Sequence, residues 1–239
     1  MPRPDPRPKD AAQAARQRHG EEFHGVVEHV LRLLLKGRGI HVVRMPKNNP
    51  QRSNPFLGVV KDQRIADDLL QRLRLPLKRP CDQQDAETYP DSDLVIVREV
   101  VEGVWRVLAV VNCKASLRDR HIQACFWGLA YRQHSGIRYF LVIPDGEREI
   151  GLKCGGNEMR TRLETCTDGV FIVRNFASVD DPALKEAIRV VTAQSLSDPA
   201  IVGHADQFDP KPLPVEPCMM VGPFSRLVGT IERLAAGPT

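Results

Sequence analysis

At 239 residues with 42% hydrophobic side chains, the chain can bury a sizeable core as one domain with at most a small appendage. Its 34 Lys and Arg against 30 Asp and Glu leave a formal charge of +4, which permits a polyanionic partner without requiring one. With neither a charged-then-apolar leader nor an apolar run of about 18 residues, secretion and membrane spanning are unsupported and a cytoplasmic protein is expected.

Residues 1–18, MPRPDPRPKDAAQAARQR, are too rich in Pro and Arg to bury a core and read as a mobile basic arm. Residues 19–239 are expected to form a single domain, its core over 20–195 and a C-terminal connection and helix over 196–239. From Glu21 to Leu35, apolar residues at 23, 26, 27, 30, 31 and 34 predict an amphipathic helix ended by Gly37 and Gly39. IHVVRM at 40–45 reads as a short strand, PKNNPQRSNP at 46–55 as an exposed loop, and RIADDLLQRLRL at 64–75 as a second helix. DLVIVREV at 93–100 and VWRVLAVVNCKA at 104–115 flank a VEGV turn and predict a hairpin.

Residues 119–134 resume a helical period through Ile122, Cys125, Phe126 and Leu129, and IRYFLVI at 137–143 reads as a buried strand. GLKCGGNEMRTR at 151–162 is expected to be a loop, GVFIVRNF at 169–176 a strand, and DPALKEAIRVVTAQ at 181–194 a helix. The stretch 196–223 reads as an extended connection, and Ser225 is the expected cap of a last helix. The predicted fold is α/β, a mixed central β-sheet flanked by helices.

Pairing residues about Glu102 and Gly103 sets Lys114 opposite Asp91 and Asn112 opposite Asp93, all four on one face because the strand period is two. Two carboxylates and an ammonium at one hairpin end suit a metal-dependent phosphodiesterase, with acidic oxygens on Mg²⁺ and the lysine beside the attacked phosphate. The six cysteines, at 81, 113, 125, 154, 166 and 218, show no CxxC spacing and read as reduced thiols rather than zinc ligands. His24, His29, His121 and His134 have no ligand spacing, and Trp127 and Tyr131 read as core or interface aromatics.

Pro90-Asp91, the hairpin and Asn112-Cys113-Lys114 together resemble the PD-(D/E)xK nucleases, and among them the type II restriction endonucleases. The resemblance implies a restriction-endonuclease-like core, with Asp91 and Lys114 as catalytic residues. Where that family usually carries an acid two residues before the lysine, this chain has Asn112. The missing carboxylate is then expected from Asp93 or from the first helix, where the family often places a glutamate: Glu22 first, Glu28 second. The expected metal set is Asp91, Asp93 and Glu22, and with Lys114 these make up the expected catalytic residues.

KASLRDR at 114–120 resembles the lysine-then-R(D/E)R arrangement of restriction enzymes that read CCGG or CC/GG-containing sites. Arginine bonds bidentately to guanine O6 and N7 and aspartate accepts from cytosine N4, so Arg118, Asp119 and Arg120 suit two adjacent C·G pairs. A helix cap with solvated arginines is the competing reading of the same three residues. The implied protein is a Mg²⁺-dependent type II restriction endonuclease acting on double-stranded DNA as a homodimer, with a cognate DNA methyltransferase as its functional partner. A structure-specific repair or junction nuclease and a catalytically decayed DNA-binding module are the alternatives.

Overall fold

Leu94, Val95, Ile96 and Val97 are all fully buried, the mark of a strand covered on both faces. The computed structural model describes residues 21, 23–46, 53–78, 85–89, 92–114, 117, 120–143, 150, 156–173 and 220–237. In chain order these give helix α1 over residues 23–34, strand β1 Ile40–Arg44, a 3₁₀ turn Pro55–Gly58, and helix α2 Gln63–Arg72. Strands β2 Leu75–Lys78, β3 Asp85–Thr88, β4 Leu94–Val101 and β5 Val104–Cys113 follow, then helix α3 Arg120–His134 and strand β6 Arg138–Ile143. Helix α4 Glu158–Cys166, strands β7 Gly169–Ile172 and β8 Val221–Pro223, and helix α5 Phe224–Ala236 complete the described elements.

The central sheet runs β1-β4-β5-β6-β7-β8, so the fold is α/β with a mixed sheet as the sequence predicts. β1, β4 and β5 are antiparallel, while β5, β6, β7 and β8 are parallel. A parallel return needs a crossover, and α3 and α4 supply those between β5, β6 and β7. One face of the sheet buries Phe23, Val27 and Leu31 of α1 with Leu227 and Ile231 of α5. The other buries Leu69 of α2, Ala124 and Tyr131 of α3, and Leu163 of α4.

The hairpin turn falls at Glu102-Gly103 as expected, with Gly103 at φ 74° and its N–H donating to Glu99 Oε1 at 2.8 Å. Leu94 pairs with Val111, the register that sets Asp93 across from Asn112. A bulge between Ile96 and Val97 turns both Leu108 and Ala109 toward the α1 side.

Four expectations are corrected. The second helix stops at Arg72, and Leu75–Lys78 pairs instead with Asp85–Thr88 in a two-stranded sheet that accepts Pro76. Residues 151–162 are not all loop, because Asn157 caps α4, its Oδ1 accepting from the Arg160 N–H at 2.7 Å. The last helix begins at Phe224, so Ser225 lies inside the first turn rather than before it, and the preceding three residues form β8 instead of an extended connection. The helix after Lys114 has the expected bounds but not the expected face: Ile122, Phe126 and Leu129 are 61%, 49% and 38% exposed, while Ala124, Gly128 and Tyr131 face inward. Residues 1–18 and 181–194 lie outside the described residues.

Gly128 explains that rotation. A Cβ there would stand 2.3 Å from the Cys166 carbonyl oxygen at the end of α4, so only a hydrogen at this position lets the two helices meet. Gly128→Ala is expected to lower stability in urea unfolding by about 1 to 3 kcal/mol. Gly25→Ala, where a Cβ meets nothing within 4 Å, should instead raise it by about 0.5 to 1 kcal/mol.

Candidate active site at the end of the central hairpin

Asp93 directly precedes β4 and Lys114 directly follows β5, and neighbouring strands pin the main chain of both. The Met45 N–H donates to Asp93 O at 3.0 Å, extending the β1–β4 ladder, and the Lys114 N–H donates to Val142 O at 2.9 Å, extending β5–β6. Side chains that share one strand end are thereby held without needing a loop to fold over them.

The Asp93 carboxylate is used on both oxygens. Oδ2 accepts the Cys113 N–H at 2.7 Å and lies 3.6 Å from Lys114 Nζ. Oδ1 lies 3.2 Å from His24 Nδ1 on α1, whose Nε2 is 2.7 Å from Cys113 O. Lys114 is only 4% exposed, and an ammonium so deeply placed requires a carboxylate beside it.

A second carboxylate stands one helical turn beyond His24. Glu28 is 7% exposed, with Oε1 2.8 Å from Arg32 and Oε2 3.4 Å from Arg44 of β1. Burial pushes the Cys113 thiol pKa well up, Asp93 and Glu28 push it further, and Lys114 and Arg44 oppose them. One buried sulfur at the end of β5 thus feels all four charges, which fall into two opposite-charge pairs, Asp93 with Lys114 and Glu28 with Arg44.

Asn112 does not join them. Its Nδ2 donates to Tyr139 Oη at 2.6 Å on the α3 side, whereas Asp93 turns to α1. The expectation that Asn112 and Asp93 share a face is therefore corrected. Asp93 precedes the strand and escapes its alternation, and the Cys113 N–H at the end of β5 draws its carboxylate the other way.

Of the site residues expected from sequence, Asp93 and Lys114 are brought together. Arg120 is exposed as the first residue of α3, its N–H donating to Leu117 O. Asp91, Glu22, Arg118 and Asp119 lie outside the described residues. Sequence reasoning missed His24 and Arg44 and ranked Glu28 second. The available signal was the i,i+4 spacing of His24 and Glu28, which puts both on one helix face.

Among the described residues, no three of His, Cys, Asp and Glu form a ready metal cage. Asp93 and Glu28 are nevertheless hard oxygen donors close to one strand end. Mg²⁺ is commonly held by one or two carboxylates, with waters and substrate phosphates filling its shell, so the donors fit that ion in kind.

A mixed sheet layered between helices, with a lysine and a carboxylate paired at the end of its central hairpin, defines a restriction-endonuclease-like nuclease core. Residues 68–195, just over half of the chain, match the family described as BsaWI restriction endonuclease type 2, and the chain belongs to that family. It is a type II site-specific endonuclease. A relative in Methanocaldococcus jannaschii, provisionally named type II restriction enzyme MjaVIP, is 28% identical over 170 residues, covering 69% of this chain and 68% of its own. No solved structure matches the chain. No helix among the described residues is long and apolar enough to cross a membrane.

Burial pulls the His24 pKa below its ordinary 6.5, against the Asp93 carboxylate and Cys113 carbonyl that raise it, and Lys114 and Arg44 add to the lowering. Both ring nitrogens face acceptors, Nε2 the Cys113 O and Nδ1 the Asp93 Oδ1, so the neutral ring can donate to one of them and only the protonated ring to both. As pH falls through 6.5 the unfolded chain takes up the proton first, so stability present above that pH is lost on descending toward the folded-state pKa. Thermal melts in EDTA at about pH 7.5 and about pH 5.5 should show a larger drop for the wild type than for His24→Gln, which has no proton to take up in this range. Equal drops would place the acid-sensitive group elsewhere.

Proposed function

We propose that the chain hydrolyses phosphodiester bonds of double-stranded DNA in a Mg²⁺-dependent reaction, at a short palindrome with a CC/GG core, CCGG in its simplest form. The observation that carries this reading is the buried Asp93–Lys114 pair at the end of the central hairpin. Asp91 and Asp93 are the hairpin carboxylates that would hold the ion. Glu22 is the helix-borne ligand expected from sequence, and the burial of Glu28 beside the same strand end supports Glu28 in that role. When bound, Mg²⁺ supplies Lewis-acid stabilisation of the phosphate and acidifies a coordinated water. Lys114 sets an ammonium against the scissile phosphate and orients the attacking water, and Asp93 fixes where that ammonium sits.

Arg118, Asp119 and Arg120 are the proposed base readers, arginines to guanine and the aspartate to cytosine. The exposed Arg120 at the start of α3, six residues from Lys114, supports placing them close to the bond to be cut. One site per chain and two antiparallel strands to cut favour a homodimer in two-fold register with the palindrome. The exposed row Ile122, Phe126 and Leu129 supports α3 as the surface for the second copy better than α5, whose Phe224, Leu227 and Ile231 are spent on the chain's own core. The expected compartment is the cytoplasm, with a methyltransferase of matching specificity as a functional rather than physical partner.

Plasmid DNA incubated with the protein and Mg²⁺, followed by sequencing of the ends, tests the whole reading. Discrete fragments ending in or beside a CC/GG palindrome are expected, and structure-dependent nicks or smearing would point to a repair nuclease. Lys114→Ala should cut at least about 100-fold more slowly in single turnover while still binding the site in Ca²⁺. Glu28→Gln and Glu22→Gln, compared side by side, identify the helix ligand as whichever loses more activity. Arg118→Ala and Arg120→Ala should each cost about 1 to 3 kcal/mol of discrimination at one C·G pair. Loss spread evenly over all sequences would make them phosphate clamps instead.

A further inference from the structure

Ser92 stands between Asp91 and Asp93 in sequence, yet its side chain turns away from the charged groups. Asp93 directs its carboxylate to His24 and Lys114 on the α1 face, whereas Ser92 Oγ lies 3.2 Å from Tyr131 Oη of α3. Two consecutive side chains are thus drawn to opposite faces of the sheet just before β4 begins.

Tyr131 is fully buried in the layer that joins α2 and α3 to the sheet. Its hydroxyl donates to Leu73 O beyond the end of α2 at 3.5 Å, and with that one proton used the Ser92 hydroxyl is the donor of the 3.2 Å contact. Burial pushes the phenol pKa well up, against the Ser92 hydrogen bond, so the group stays protonated. The ring stacks on Tyr139 at 5.9 Å, and Tyr139 Oη accepts from Asn112 Nδ2 at 2.6 Å. One side chain of α3 therefore backs both hairpin arms, Ser92 directly and Asn112 through Tyr139. A phenylalanine would fill the same layer without an oxygen to bury, so what the hydroxyl adds lies in its hydrogen bonds and not in packing.

We propose that Tyr131 is a positioning residue for the cleavage reaction, its hydroxyl holding Ser92 on the α3 face and thereby fixing the direction in which the adjoining Asp93 carboxylate points. The proposal rests on the assignment of Asp93 and Lys114 to the chemistry above. Two bonds hold Asp93 from its own residue onward, the Met45 N–H on its carbonyl and the Cys113 N–H on its carboxylate. Neither restrains the chain on the N-terminal side of Asp93, and the Ser92–Tyr131 contact does. With residue 92 held to α3 and the Asp93 carbonyl held to Met45, the Asp93 side chain is left one way to turn, toward Lys114 and α1.

Amide hydrogen exchange reads the placement of Asp93 directly, because the Met45 and Cys113 N–H groups both donate to it. In EDTA and without DNA, Tyr131→Phe and Ser92→Ala are each expected to exchange these two amides about 10-fold faster than the wild type, the factor that one lost hydrogen bond corresponds to. The Val170 and Val173 amides, which donate to Met220 O and Ile143 O elsewhere in the sheet, should keep wild-type exchange. On saturating duplex in Mg²⁺, both variants should cut about 10-fold more slowly in single turnover, the lower end of the loss when an outer partner of a metal ligand is removed, with unchanged affinity for that duplex in Ca²⁺. Tyr131→Phe/Ser92→Ala should lose no more than either single variant, since the two hydroxyls act through one bond. Ser92→Ala leaves Tyr131 and its bond to Leu73 O in place and decides the matter should Tyr131→Phe loosen the core. Faster exchange at all four amides alike would make Tyr131 a packing residue and overturn the proposal. Wild-type exchange at Met45 and Cys113 in Ser92→Ala overturns it too, as do cleavage losses that add in the double variant. A wild-type chain that cuts nothing in Mg²⁺ refutes the nuclease chemistry, and the exchange comparison in EDTA still decides whether Tyr131 holds Asp93; a chain that cuts, with exchange and cleavage unmoved in both variants, refutes only this role.

Discussion

The site is organised by the need to pair a nearly buried ammonium. Lys114 enters the end of the sheet with 4% exposure, and leaving it there without Asp93 would cost about 3 to 5 kcal/mol. Asp93 in turn lies where three donors converge: the Cys113 N–H, the Lys114 ammonium and, when protonated, His24. Arg44 and Glu28 form a second opposite-charge pair near the same strand end. These groups are consequently fixed by the sheet's own ladders and by α1, a pre-organised arrangement of the kind the proposed hydrolysis requires.

This makes α1 part of the candidate active site. The family match begins at residue 68, beyond α1, yet His24 and Glu28 both reach the end of β5 from that helix. Phe23, Val27 and Leu31 bury its apolar stripe against β4 and β5, and this packing turns the His24–Glu28 face toward the strand ends. Core packing and site geometry are therefore one constraint, and a change that shifts α1 on the sheet would move a carboxylate relative to Lys114.

Where one residue's pattern determined the structure, the sequence was legible. The hairpin register followed from the VEGV turn and the β-branched runs, and it put Asp93 and Lys114 at one strand end. The bounds of α3 followed from its periodicity to within a residue. Its inward face did not, because apolarity points to Ile122, Phe126 and Leu129, whereas close approach selects Gly128. Capping by Asn157 hid behind the glycines at 155 and 156, which read as loop. Asp93 was given the wrong face for a related reason: strand alternation predicts faces only for residues within the ladder, and Asp93 stands just outside it.

The position of Asn112 bears on why an acid is missing there. Its side chain is fully buried on the α3 face, against Tyr139 Oη, with Tyr139 stacked on Tyr131 at 5.9 Å. A carboxylate in that place would be ionised in a buried layer beside Tyr139, and burial would penalise its charge. An amide keeps the contact with Tyr139 and carries no such penalty. With residue 112 turned toward α3, the described carboxylates near Lys114 are Asp93 beside it and Glu28 near the same strand end.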